Sequence, residues 1–114
     1  MSGPVNPKTG FSFDVPTQNT DGTALAAADI AKFQIGLGQT SGQYTLIKDD
    51  LTIEVGKQTT PMSLFGQLAY GQWYASVRTV TTPAKGAKTS AWGPEIAFVL
   101  EAATPNAPSN FSIA

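Results

Sequence analysis

The stretch Leu68 to Val80, LAYGQWYASVRTV, constrains the fold more than any other part of this sequence. After a corner at Ala69-Tyr70-Gly71, residues Trp73, Ala75, Val77 and Thr79 alternate with Tyr74, Ser76, Arg78 and Val80. A period of two, carried by aromatic and β-branched side chains without a proline, predicts a strand with one face in a core. The alternation points Trp73 and Val77 inward and Arg78 outward. This strand is the expected centre of the domain.

Other strands can be placed around it by the same rule. Phe11 to Val15 alternates up to Pro16, with Phe11, Phe13 and Val15 on the inner face. A long loop is expected from Pro16 to Ile30, with turn chemistry at Asn19-Thr20-Asp21-Gly22 and one helical turn at most within Ala24 to Ala28. Lys32 to Gly38 places Phe33, Ile35 and Leu37 on one face, and Gln39 to Gly42 turns the chain back. A short third strand is expected at Gln43 to Ile47, then a charged turn at Lys48-Asp49-Asp50 and a further alternating strand through Leu51, Ile53 and Val55. Pro61 argues against a central strand running through it, so the next short strand is expected at Met62 to Phe65. Thr81 to Thr89 reads as a projecting polar loop, and Trp92 opens a last strand with Ile96, Phe98 and Leu100 on one face, ending near Glu101. The expected core is Phe13, Phe33, Ile35, Leu68, Trp73, Val77, Ile96 and Phe98.

Composition narrows the function classes. The 114 residues suffice for one domain and one core, and 11 Gly with 8 Pro suit an all-β chain of short strands. There is no Cys and no His, which removes disulfides, thiolate metal sites, the commonest general base and every Ser-His or Cys-His pair. No catalytic residues, cofactor or metal are therefore expected. Seven basic against eight acidic residues, with the lysines scattered, give no surface for nucleic acid or an anionic membrane. MSGPVNPKTG lacks the apolar run of a secretory signal, so a natural start at Met1 implies retention in the cytoplasm or exit by another route.

Taken together, FSFDVPTQNTDGTAL, KFQIGLGQTSGQYT, LAYGQWYASVRTV and SAWGPEIAFVL resemble strands B, C, F and G of a fibronectin type III module over almost the full length. The resemblance implies an immunoglobulin-like antiparallel β-sandwich of about seven strands. Phe13 stands where that family usually has Trp, and Phe33 where it has Tyr. Counting from Leu68 makes Tyr74 the corner tyrosine, whereas the alternation makes Trp73 the inward ring; the alternation is preferred, because otherwise Arg78 would enter the core. Lys85-Gly86-Ala87 stands where some relatives carry RGD, so integrin binding is not implied. For the lead and A strand the chain offers only Val5, while PNAPSNFSIA at the C-terminus looks like the start of a following module. The division expected is a sandwich over 1–103 and a linker with a strand-like tail over 104–114.

Several features are weighed for chemistry. Asp49-Asp50 reads as a solvated hairpin turn in preference to a cation site, and Gly36 and Gly38 read as strand and hairpin in preference to a phosphate loop, since no helix follows. Trp73 and Trp92 are read as packing residues in preference to a sugar-stacking platform. Asn19, Thr20, Asp21 and Gly22 in the B-C loop lie at the same end of this fold as Lys85, Gly86 and Lys88 in the F-G loop; a recognition surface and two solvated loops are the alternatives. Asn110, Phe111 and Ile113 form a candidate assembly tail. To fill an A position in its own domain the tail must return roughly 25 Å, and the seven residues from Thr104 to Asn110 span at most about 25 Å, leaving nothing for the turn.

The resemblance and the absence of a signal suit a non-enzymatic decoration or tail-associated protein on the surface of a bacteriophage virion, assembled in the host cytoplasm. Its partners would be other virion proteins or copies of itself, head to tail, with cell-surface carbohydrate as a further ligand class. The alternative is a spacer or a carbohydrate- or protein-binding module of a longer secreted, extracellular bacterial protein.

Overall fold

In the computed structural model, residues 10–102 and 104–113 are described. They form six strands: β1 Gly10–Asp14, β2 Ile30–Gly38, β3 Leu46–Asp50, β4 Lys57–Pro61, β5 Gly71–Thr81 and β6 Ile96–Leu100. Two antiparallel sheets result, one of β1 and β4 and one in the order β3-β2-β5-β6. Short 3₁₀ turns occupy Ala27–Asp29, Met62–Phe65 and Pro83–Lys85. The fold is all-β, with β2 and β5 at the centre of the larger sheet. Val5 lies outside the described residues.

The core follows from the alternation. Phe33, Ile35 and Leu37 on β2 are fully buried, and Trp73 and Ala75 on β5 join them with Phe11, Val15, Leu25, Phe65, Leu68 and Leu100. Phe13 packs edge-on against Phe33 at 4.9 Å, and Phe11 packs on Phe98 at 5.6 Å, so two aromatic contacts tie the smaller sheet to the larger one. Trp73 also donates from Nε1 to the Ala69 carbonyl at 2.9 Å, pinning the corner that leads into β5, while Tyr74 lies opposite Ala97 on the other face. The inward ring is Trp73.

Several expectations are corrected. β3 runs to Asp50, so Lys48-Asp49-Asp50 is strand, and the strand expected through Leu51, Ile53 and Val55 is irregular, with Leu51 and Val55 exposed and Ile53 partly buried against the core. Side chains cause this. The Asp50 carboxylate accepts from Thr52 N at 3.0 Å, Glu54 N donates to Gln58 Oε1 at 3.0 Å, and Gln58 Nε2 donates to the Thr52 carbonyl at 2.6 Å. The backbone groups a ladder would use are already engaged.

The strand placed at Met62 to Phe65 is instead a 3₁₀ turn closed by Gly66 N on the Ser63 carbonyl at 3.2 Å, with Gly66 at φ 68°. β4 precedes it, and Pro61 is its last residue, opposite Gly10, where a missing N–H does least harm. β6 begins at Ile96 and not at Trp92, because Pro94 interrupts the ladder after Gly93 N reaches the Val77 carbonyl at 2.9 Å. Ile96 is expected in the core and is 52% exposed. Val77, Phe13 and Phe98 are partly buried against the core, and Val80, assigned to the outer face, is buried where a register shift between Ile30 and Lys32 disturbs the alternation.

Candidate functional site

The loop after β1 and the loop after β5 meet at one end of the sandwich. Asn19 N donates to the Thr23 carbonyl at 2.8 Å and Gly22 N to the Asn19 carbonyl at 3.0 Å, closing a turn in which Gly22 takes φ 86°. Asp21 sets its shape by accepting from Thr23 N at 3.0 Å and Thr23 Oγ1 at 2.6 Å. Those bonds, the hydroxyl first, hold the Asp21 carboxyl below the usual carboxylate range. The loop after β5 is closed by Lys85 N and Ala87 N, both donating to the Thr82 carbonyl at 2.9 Å, and by Lys88 N on Thr81 Oγ1 at 2.8 Å.

Between them lies a cleft of about 560 Å³. Asn19, Thr20, Asp21, Lys85 and Lys88 line it, as the two-loop reading expects, whereas Gly22 and Gly86 shape the turns without lining it. Its remaining polar lining comes from Gln18, Asp29, Thr79, Thr81, Thr89 and Ser90, and its apolar lining from Pro16, Ala24 and Leu25. Lys85 Nζ stands 3.9 Å from Asp29 Oδ1, joining the two walls, and Thr82 N adds a bond to the Asp29 carbonyl at 2.9 Å. Thr79 and Thr81 escape the sequence reading because strand alternation assigns them only to a face, and their placement at the end of β5 is the available signal; Asp29 closes the 3₁₀ turn Ala27–Asp29, within the stretch read as a long loop.

Chemically this is a lining of hydroxyls, amides, two carboxylates and two ammonium groups over a small apolar floor. It can hydrogen-bond a polar partner. Among the described residues no group of three or more acidic side chains converges in a way that could hold a metal ion, and no helix is long and apolar enough to cross a membrane.

A second cluster covers the outer face of the larger sheet. Arg78 Nε donates to Gln34 Oε1 at 2.8 Å, Gln34 Nε2 donates to Asp49 at 3.0 Å, and Lys32 Nζ reaches Asp49 at 2.9 Å, a ladder across three strands. The Lys32 bond first, then that of Gln34, holds the Asp49 carboxyl below its ordinary range. Asp49 is therefore solvated and paired, while its neighbour Asp50 is buried, against the expectation of a solvated turn.

The Arg78 guanidinium lies 4.2 Å over the Trp92 ring, and Tyr44 meets the same ring edge-on at 4.9 Å. Both aromatics rest on Gly36, where a Cβ would stand 2.7 Å from Tyr44 Cβ and 2.9 Å from Trp92. Trp73 is inside the sandwich and Trp92 outside it, so the two indoles share no surface.

Glu95 gathers the turn at 41–44 against this cluster, accepting from Ser41 Oγ at 2.5 Å, Gly42 N at 2.7 Å and Tyr44 Oη at 2.8 Å. These donors, Ser41 first, pull the Glu95 carboxyl below its ordinary 4.5. A carboxylate so engaged is a poor base for Ser41. Its folded-state pKa is depressed, so its contribution to stability is fully present above 4.5 and is lost as pH falls through the lower folded value. Melting temperatures of the native chain and of Glu95→Gln, measured against pH, are expected to keep a constant gap above 4.5 that narrows in more acidic buffer. A gap independent of pH would show that Glu95 is not ionised in this role.

No family model, curated protein or solved structure matches this chain.

Proposed function

We propose that this chain is a non-enzymatic module of fibronectin type III type that works by interaction, as a decoration or tail-associated protein on a bacteriophage particle. The strand order carries the reading. With β1 as strand B, β2 as C, β4 as E, β5 as F and β6 as G, the pair B-E falls in one sheet and C-F-G in the other, the arrangement of immunoglobulin-like sandwiches. The corner before β5, which in such folds is tied by a tyrosine hydroxyl to upstream backbone, is tied here by the Trp73 indole.

The virion assignment is supported by two surfaces that offer contacts: a polar cleft at one end, and at the other a tail whose Phe111 and Ile113 are 98% and 101% exposed. Apolar side chains presented so openly suit burial in an assembly. Mass spectrometry of purified particles from the source, with cryo-electron microscopy, is expected to find the chain in fixed stoichiometry on the outer surface. Its absence from washed particles would overturn the assignment.

The hydroxyl- and amide-rich cleft favours a second reading, a carbohydrate- or protein-binding module of a secreted protein. Glycan-array binding that Lys88→Ala and Thr81→Val both abolish, by a chain absent from particles, would select it.

A further inference from the structure

The margin between β1 and β6 exposes apolar surface that belongs, by register, to the inside. Ile96 sits opposite Ala75, which is 2% exposed, on the inner face of its sheet, yet 52% of it is in solvent. Phe13 and Phe98 flank the same margin and are only partly buried, although Phe11 touches Phe98 and joins the sheets there. Among the described residues β1 pairs only with β4, and β6 only with β5, so each has one edge beside this seam that no other described strand occupies. Open edges with half-covered apolar side chains form a receptor for an added strand.

The chain itself carries a segment of matching pattern. Phe111-Ser112-Ile113 repeats the apolar-Ser-apolar order of Phe11-Ser12-Phe13, and all the described residues from Thr104 onward are exposed. The tail leaves β6 after Leu100, and Pro105 and Pro108 lack the N–H groups needed to fold it straight back along that edge.

We propose that Phe111-Ser112-Ile113 of one copy adds as a strand beside β1 of a second copy, with Phe111 and Ile113 over the seam at Ile96, Phe13 and Phe98. The inference rests on the reading of the chain as an interaction module and names its partner as another copy of itself. The contact is heterologous, tail to seam, so it repeats from copy to copy.

In this pairing Ser112 lies on the outer face next to Ser12, close enough for a disulfide between neighbouring strands. These 114 residues contain no cysteine, so two single variants give a clean test. Ser12→Cys and Ser112→Cys chains, each checked for an unchanged melting temperature, are mixed in a glutathione redox buffer and read by non-reducing gel and mass spectrometry.

The expected product is the mixed Ser12→Cys/Ser112→Cys dimer in several-fold excess over either homodimer, lost when Phe111→Asp and Ile113→Asp are added to the tail-bearing chain. A yield no greater than with Thr20→Cys at the opposite pole in place of Ser12→Cys overturns the proposal. So does a mixed dimer that forms only after residues 2–9 are deleted, which would assign the seam to the chain's own N-terminal segment. A chain found on particles that fails to cross-link keeps the functional reading and loses this one; a chain that cross-links and is absent from particles does the reverse.

Discussion

Replacing Asp50 with alanine is expected to lower the unfolding free energy by about 3 kcal/mol, a large share of what a domain of this size has. Asp50 lies on β3 of the larger sheet and accepts from Thr60 Oγ1 at 2.5 Å and Gln58 Nε2 at 3.0 Å, both on β4 of the smaller one. Gln58 and Thr60 are fully buried and Asp50 is 9% exposed, so the three make a polar bridge between the sheets. Alanine leaves the Thr60 hydroxyl without its acceptor in a place water reaches poorly, and an unsatisfied buried donor costs about 1–3 kcal/mol; it also removes the acceptor of Thr52 N at the more exposed rim. Part of that loss is offset, because a buried carboxylate with no ion pair among the described residues is itself costly to desolvate. Asp50→Asn keeps an acceptor oxygen and is expected to cost about half as much. Chemical denaturation of the three chains measures both numbers, and a loss under about 1 kcal/mol for alanine would mean that water replaces the carboxylate.

Phe33→Ala is expected to cost about 3–5 kcal/mol and to leave the domain unfolded or nearly so at physiological temperature. Phe33 is 1% exposed at the centre of β2, and its ring is the surface on which Phe13 of the other sheet rests. Truncation opens a cavity and also removes one of the two aromatic contacts between the sheets. Phe98→Ala removes the other, at a margin where the ring is already partly in solvent, and is expected to cost clearly less. Equal losses for the two would show that the seam beside Phe98 is closed in solution.

The strands that sequence reading located are those whose side chains alternate against a single core. β1, β2 and β5 are of this kind, and Phe11, Phe33, Ile35, Leu37 and Trp73 fall where their period puts them. The misreading of Asp50 arose because side-chain polarity was read without its partners. Asp50 looked like a turn residue because an isolated aspartate favours one, and nothing local announces that Gln58 and Thr60 will surround it. KQTTP is passed over because Pro61 argues against a central strand, although its Gln and second Thr face inward on β4, with the proline at the strand's end. Ile96 was assigned correctly to the inner face and wrongly to the core, because period reports orientation and says nothing of what covers an edge. At the candidate site, loop positions followed from the expected topology, and the meeting of Asp29 with Lys85 did not, since that pair is 56 residues apart in sequence and depends on how two walls lean together.

The cleft and the tail lie at opposite poles. Thr79 and Thr81 at the end of β5 line the cleft, whereas Leu100, after which the tail departs, pairs with Gly71 at the beginning of that strand. The intervening length of β5 amounts to about 30 Å. The body is thus vectorial: were it fastened by its C-terminal segment, as proposed, it would hold its two loops outward at the full height of the domain, and a layer of such bodies would present one chemical face to its support and another to the surrounding medium.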